Sequence, residues 1–229
     1  GCSDGKLFLY NLPTSGKPRA SFEAKGTGPI HALSFSATGN TLAAACNDKT
    51  IRLWKVSSGK PMKTLTGHTN VVWSAALTPD AKALVSGSHD KTARVWDVAS
   101  GKTFKMLTGH QGPVFAVAIS VDGQRVLTAS ADGTVKYWDI DSGECLATLE
   151  GHKGSICSAV WLPESPRALT VSTDGTLRMW NAQEGTLLGS SSLPAGRVLH
   201  LHAGTNADKQ PLMTMATLAT EHGVQLWTV

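Results

Sequence analysis

The chain has 229 residues, 41% of them apolar, and its 21 Lys and Arg against 17 Asp and Glu give a net charge of +4. The basic residues are scattered, whereas a nucleic-acid-binding protein concentrates them on one face, so the composition argues against a nucleic-acid partner. No apolar run approaches the roughly 20 residues of a membrane-spanning helix, and we expect no membrane segment. Four cysteines without zinc-ligand spacing argue against a disulfide framework and are typical of a reducing compartment, so we expect a cytoplasmic protein.

The sequence repeats itself with a period of 42 residues. In chain order, a short first segment ends at Tyr10, and each later segment ends at a Trp: Trp54, Trp96, Trp138, Trp180 and Trp227. Residues 55–96, 97–138 and 139–180 align without a gap, whereas the segments before and after them are two and five residues longer. Self-similarity of this kind indicates a repeat architecture, so we expect residues 1–229 to form one domain.

Within one repeat, the predicted elements are strands that alternate with turns. In the repeat that begins at residue 55, the turn SSGK comes first, and the strand VVWSAAL follows the dipeptide GH. The turn TPDA leads from this strand to the strand KALVSG, and the turn HDKT leads from there to the strand TARVWDV. No segment has a sustained 3.6-residue apolar period. Four short strands in each 42-residue repeat predict an all-β chain whose repeats are the four-stranded antiparallel blades of a β-propeller. The strand after GH is rich in small residues, such as Ser74 and Ala116, which suit the innermost position of a blade.

Three repeats carry the same set of four residues at the same spacing: His68, Ser86, Asp90 and Trp96; His110, Thr128, Asp132 and Trp138; His152, Thr170, Asp174 and Trp180. His, Ser and Asp form the triad of some hydrolases, but a triad requires one exposed nucleophile in one cleft. A buried aspartate requires hydrogen-bond donors, which histidine, a hydroxyl and the indole N–H can supply. We therefore interpret the sets as structural networks that tie strands together, and we expect no catalytic residue.

The GH dipeptide, the Asp of the tight turn and the final Trp, followed by Asp at Trp96-Asp97 and Trp138-Asp139, resemble the WD40-repeat family over essentially the whole chain. The resemblance implies a β-propeller in which the sets of four are the structural tetrads of the blades. It also implies a ring that usually has seven blades. The sequence provides four complete blades and two incomplete ones, so we expect it to be the C-terminal portion of a longer WD40 protein, with an open fragment or one completed by another chain as the alternative.

Two repeats depart from the pattern of the other three. The first long repeat has Gly26 in place of His and Ala44 in place of the hydroxyl residue, but it keeps Asp48. The last repeat has Pro194 in place of His and Glu221 in place of Asp. Because the members of a hydrogen-bond network depend on one another, their joint loss in one repeat favours the structural interpretation.

The resemblance further implies a partner-binding face, where the strand after GH begins and the tight turn lies. The matching positions are His31, Trp73, Phe115, Cys157 and Leu199 at the strand, and Asn47, His89, Ala131, Thr173 and Thr220 before the turn Asp. Aromatic and His side chains are typical of binding hot spots. We therefore predict that the partner binds His31, Asn47, Trp73, His89 and Phe115, with packing between blades as the alternative role for Trp73 and Phe115.

These patterns favour a non-catalytic scaffold that binds a partner protein or peptide and carries no cofactor. The alternatives are a propeller enzyme, a cofactor-binding domain like that of quinoproteins, which have a similar SGK-type turn near a Trp, or a passive accessory domain of a larger enzyme. His200 and His202 share one face of a strand and could bind a metal ion. No partner carboxylate accompanies them, so we expect no metal site.

Overall fold

The computed structural model describes residues 3–10, 18–24, 26–163 and 165–193 in full, and the backbone of the strands in 197–205, 211–219 and 223–228. In these residues the chain forms strands and turns without a helix, and therefore without a helix that could cross a bilayer. The strands form six antiparallel sheets, in which each strand pairs with its neighbour in sequence. The predicted all-β fold with four complete and two incomplete blades is confirmed, whereas a seven-bladed ring stays a prediction.

The strands of the two incomplete sheets are β1 (Lys6–Leu9) and β2 (Ala20–Glu23) in the first, and β19 (Arg197–Thr205), β20 (Pro211–Ala219) and β21 (Gly223–Thr228) in the last. The strands of the four complete sheets are β3 (Ile30–Phe35), β4 (Thr41–Cys46), β5 (Ile51–Lys55) and β6 (Lys60–Leu65); β7 (Val72–Leu77), β8 (Ala83–Ser88), β9 (Ala93–Asp97) and β10 (Thr103–Leu107); β11 (Val114–Ile119), β12 (Arg125–Ser130), β13 (Val135–Asp139) and β14 (Cys145–Leu149); β15 (Ile156–Trp161), β16 (Arg167–Ser172), β17 (Thr176–Asn181) and β18 (Thr186–Ser192).

Tight turns join the second and third strands of each complete sheet. The residue after the turn aspartate has a positive φ in all four: 73° at Lys49, 71° at Lys91, 83° at Gly133 and 79° at Gly175. Glycine adopts this conformation readily, while a lysine there is strained. The Asp-Gly turns of the third and fourth complete sheets therefore match their backbone better than the Asp-Lys turns of the first two.

The sheets lie side by side, with their first strands adjacent in the order β3, β7, β11, β15 and β19. Small side chains permit this approach and also bond across it. The hydroxyl of Ser34 accepts the backbone N–H of Leu77 at 3.1 Å, and the hydroxyl of Ser74 accepts that of Val117 at 3.2 Å. The expectation of small residues in the innermost strand thus has a physical reason, since a larger side chain would separate the two strands.

The apolar core of the described residues is divided into clusters, four of which are layers between two successive sheets. One layer joins Leu53 and Leu65 to Ala75, Leu84 and Trp96 of the following sheet. Equivalent layers contain Trp138 and Trp180, packed against the sheets that precede theirs. The second strand of each complete sheet is covered on both faces and is almost wholly buried, whereas the outermost strand of these sheets is largely exposed.

Each complete sheet has a register irregularity in its first strand and another in its fourth. In the second complete sheet, Val72 pairs with Ser88 and Ser74 with Gly87, so Trp73 is an extra residue. His31, Phe115 and Cys157 are the extra residues in the other first strands. A β-bulge of this kind bends the strand and redirects one side chain. The candidate binding residues of the first strands therefore all stand at bulges.

Candidate functional site

The repeated His, Ser, Asp and Trp of the second complete sheet form one connected network. The indole Nε1 of Trp96 donates to Ser86 Oγ at 2.8 Å, and Ser86 Oγ lies 2.7 Å from His68 Nε2. His68 Nδ1 lies 2.8 Å from Asp90 Oδ2. Because the carboxylate can only accept, Nδ1 carries the proton, and the Ser86 hydroxyl donates to Nε2. The network links the loop before β7 to strands β8 and β9 and the turn between them.

The next two sheets have the same geometry with threonine as the hydroxyl. His110 lies 2.8 Å from Thr128 Oγ1 and 2.9 Å from Asp132, and His152 lies 2.8 Å from Thr170 Oγ1 and 3.0 Å from Asp174. Trp138 and Trp180 each donate to their threonine at 2.8 Å. The structure therefore places the twelve residues of the repeat pattern in three networks of four, one in each of these sheets.

The environment of the networks in the third and fourth complete sheets favours a charged aspartate beside a neutral histidine. Burial opposes ionisation of Asp132, but hydrogen bonds from the Thr134 hydroxyl and from the backbone N–H of Gln111 outweigh it and lower the pKa of Asp132 to about 2. Burial lowers the pKa of His110 and of His152 below the usual value, so these rings are neutral at pH 7. A neutral ring can donate to the carboxylate and accept from the hydroxyl at the same time.

The first complete sheet, which lacks the histidine, supplies its aspartate with a different partner. Arg52 donates to Asp48 Oδ2 at 3.0 Å, and the Thr50 hydroxyl donates to Oδ1 at 2.6 Å. The guanidinium thus takes the place that the histidine has in the other sheets. In the last repeat, Pro194 and Glu221 lie outside the described residues.

The bulge residues of the first strands form a continuous aromatic contact across three sheets. The rings of His31 and Trp73 have centroids 4.2 Å apart, and those of Trp73 and Phe115 are 5.7 Å apart in an edge-to-face arrangement. Trp73 therefore contacts the sheet on either side of its own while it stays half-buried. The Trp73 side chain thus packs between neighbouring blades and also remains partly exposed to solvent.

Two residues of the tight turns fix these rings at the rim. Trp73 Nε1 donates to Nδ1 of the exposed His89 at 3.3 Å, and His31 Nε2 lies 3.2 Å from Asn47 Oδ1. The five predicted partner-binding residues are therefore neighbours. Four of them, all except Asn47, line a concavity of about 530 Å³. Its lining residues are His31, Ala32, Trp73, Ser74, His89, Phe115, Ala116, Val117, Ser155, Cys157, Ser158, Ala159 and Thr173.

Some lining residues were not selected from the sequence. Ser155, Ser158 and Ala159 belong to the fourth complete sheet, where no aromatic residue marks the bulge. The signal that could have found them is position, because they surround Cys157, the counterpart of Trp73 and Phe115 in the 42-residue repeat. Of the other positions considered, the side chain of Leu199 and all of Thr220 lie outside the described residues.

The described residues provide no evident metal centre, since no group of three or more His, Cys, Asp or Glu side chains among them could hold a metal ion. His200 and His202 pair with Ala216 and Thr214 of β20. Their positions are two residues apart on β19, but their side chains lie outside the described residues.

Comparison with known proteins identifies the repeats. The family model described as "WD domain, G-beta repeat" matches residues 16–55, 59–97, 101–139 and 143–181, which together exceed half of the chain. Each match begins near the outermost strand of one sheet and ends with the third strand of the next. One sequence repeat therefore contributes to two sheets.

Three curated relatives share parts of the sequence. A WD repeat-containing protein 91 homolog from Dictyostelium discoideum is 32% identical over 37% of this chain and 11% of its own length. The nuclear distribution protein PAC1 of Mycosarcoma maydis is 47% identical over 22% of this chain and 11% of its own. A guanine nucleotide-binding protein subunit beta from Schizosaccharomyces pombe is 33% identical over 37% of this chain and 27% of its own. The chain thus matches about a tenth to a quarter of the length of these relatives.

Proposed function

The chain belongs to the WD40-repeat family, and from this premise we propose that it is a non-catalytic scaffold that binds a protein or peptide partner on the face formed by the inner-strand bulges. The observation that supports this function is the rim of His31, Trp73, His89 and Phe115 around a concavity of about 530 Å³. Half-buried aromatic rings that are held by neighbours offer contact area at a low entropic penalty, which is typical of binding hot spots.

We also propose that the His, Asp, hydroxyl and Trp networks are structural. Their hydroxyl groups are fully buried and already accept one hydrogen bond and donate another. A nucleophile must be accessible to its substrate, which these hydroxyls are not. The network of the second complete sheet links the loop that leads into the strand of Trp73 to the turn that carries His89, so a rigid scaffold supports this part of the rim.

The test is partner capture with a rim variant. We expect the double variant Trp73→Ala/Phe115→Ala to keep its β-sheet circular dichroism spectrum and to bind a partner isolated from the native source at least about tenfold more weakly. The matched control is Phe104→Ala, because Phe104 is a 45% exposed aromatic residue on the outermost strand β10. Equal binding by the double variant and the wild type would exclude this face as the interaction site.

A further inference from the structure

We propose that the partner anchors itself with an uncharged aromatic or aliphatic side chain, which inserts into the concavity beside Trp73. This inference rests on the proposed function, and it specifies the chemistry of the partner at the same site. It follows from three properties of the concavity: the charge of its lining, the hydrogen bonds already made there, and its shape.

The first property is the lack of acidic, lysine and arginine side chains in the lining of the concavity. Among the described residues that line it, none is an Asp, Glu, Lys or Arg. A charged group that entered would lose its water and find no opposite charge, which is strongly unfavourable. A cation would in addition approach a chain whose net charge is already +4.

Several polar groups around the concavity are already paired with one another. The Trp73 indole N–H is directed to His89, and His31 is bonded to Asn47. The hydroxyl of Ser74 accepts the backbone N–H of Val117. The rim therefore offers a ligand the ring surfaces of Trp73 and Phe115. A polar anchor that competed for these paired atoms would break internal hydrogen bonds to replace its own with water.

The shape of the concavity suits one bulky side chain with adjoining backbone. Its volume of about 530 Å³ falls within the range of small-molecule pockets, roughly 300–1,000 Å³. Its lining combines the aromatic rings of Trp73 and Phe115 with the small residues Ala32, Ala116 and Ala159. An inserted ring could meet Phe115 or Trp73 edge to face, the arrangement that these two rings already adopt with each other.

The test uses a display library of random linear peptides selected on the protein at neutral pH. Peptides that also bind the Trp73→Ala/Phe115→Ala variant are removed by counter-selection, and Phe104→Ala serves as the control protein. We expect the remaining peptides to share a Trp, Phe, Leu, Ile or Met, whose replacement by Ala weakens binding at least about tenfold. We also expect less than about a twofold change in affinity between low and high salt, since exposed charge pairs are screened and apolar contacts are not.

Two results would overturn the inference, and they differ in what they leave standing. A shared Lys, Arg, Asp or Glu anchor whose binding still requires Trp73 and Phe115 refutes the uncharged anchor but retains the proposed binding face. Failure to select any peptide that distinguishes the double variant from the wild type refutes both the anchor and the face.

Discussion

At the scale of single residues, the hydroxyl is the centre of each buried network. Thr128 Oγ1 accepts from the Trp138 indole and donates to His110, which in turn donates to Asp132. Only a group that both donates and accepts can join an indole N–H to a ring nitrogen. Since the side chains lie in a low-dielectric environment, the loss of one member leaves the others with unmet hydrogen bonds.

This dependence predicts non-additive energies within one network. We expect His110→Ala and Asp132→Ala each to lower the free energy of unfolding by about 1–3 kcal/mol, because each leaves a buried polar partner without its bond. The double variant should lose less than the sum, by at least about 0.5 kcal/mol, since both substitutions remove the same contact. Urea denaturation followed by tryptophan fluorescence measures all three values.

A pair from two different networks provides the control for this cycle. His110→Ala combined with Asp90→Ala removes members that share no hydrogen bond, so the two losses should add within about 0.5 kcal/mol. Equal additivity for the His110 and Asp132 pair would mean that the hydrogen bonds do not act as a network.

The sequence predicted which residues lie in these networks but not the partner of Asp48. Identical spacing places identical residues at the same point of each sheet, which is why the sets of four could be found. Arg52, in contrast, has counterparts in Arg94 and Arg178 that lie 5.9 Å from the ring of Trp96 or Trp180. Where His is replaced by Gly26, the arginine bonds to the aspartate instead. The contact depends on which space a neighbouring loop leaves open, and local spacing does not encode that.

At the scale of strands and turns, the bulges determine which side chains reach the rim. Turn residues and short apolar runs predicted the four strands of each blade, since both signals are local. The extra residue at Trp73 could not be predicted in this way, because it depends on how β7 pairs with β8. The rim residues were found through the family resemblance, which specifies the start of the strand, and the bulge explains why that position faces the concavity.

Close approach of successive sheets makes Gly87 a sensitive position in β8. A Cβ atom there would lie 2.7 Å from Val114 Cγ1 and 3.1 Å from the Val114 carbonyl oxygen of the next sheet. We therefore expect Gly87→Ala to destabilise the protein by about 1–3 kcal/mol through overpacking. Thermal unfolding monitored by circular dichroism, together with urea titration, measures the difference in free energy of unfolding between the variant and the wild type.

Trimming the opposing side chain distinguishes overpacking from a general effect of alanine in the strand. In a Val114→Ala background, Gly87→Ala should destabilise the protein less than in the wild type, because the contact at 2.7 Å is removed while those at 3.1 Å with the Val114 carbonyl oxygen and Val117 Cγ1 remain. The equivalent positions Ala45 and Ala129 already carry a Cβ atom, so the strand itself tolerates one. An unchanged effect of Gly87→Ala in that background would place the strain elsewhere.

At the scale of the whole molecule, stability is distributed through contacts between neighbouring sheets. Four core layers each join two successive sheets, and the hydrogen bonds to Ser34 and Ser74 cross two of the same boundaries. The sequence repeat reinforces this coupling, because each repeat provides the outermost strand of one sheet and three strands of the next. In such an array, the stability of a unit depends on itself and its nearest neighbours.

Destabilising one sheet should therefore affect mainly that sheet and its neighbours, and hydrogen–deuterium exchange can measure how far the effect extends. We expect His110→Ala to increase amide exchange most in β11 to β14, less in β7 to β10 and β15 to β18, and least in β3 to β6, because no core layer joins β3 to β6 directly to β11 to β14. His68→Ala is the matched variant, and its strongest effect should move to β7 to β10. A uniform increase across all described sheets in both variants would contradict nearest-neighbour coupling and would mean that the sheets open as one cooperative unit.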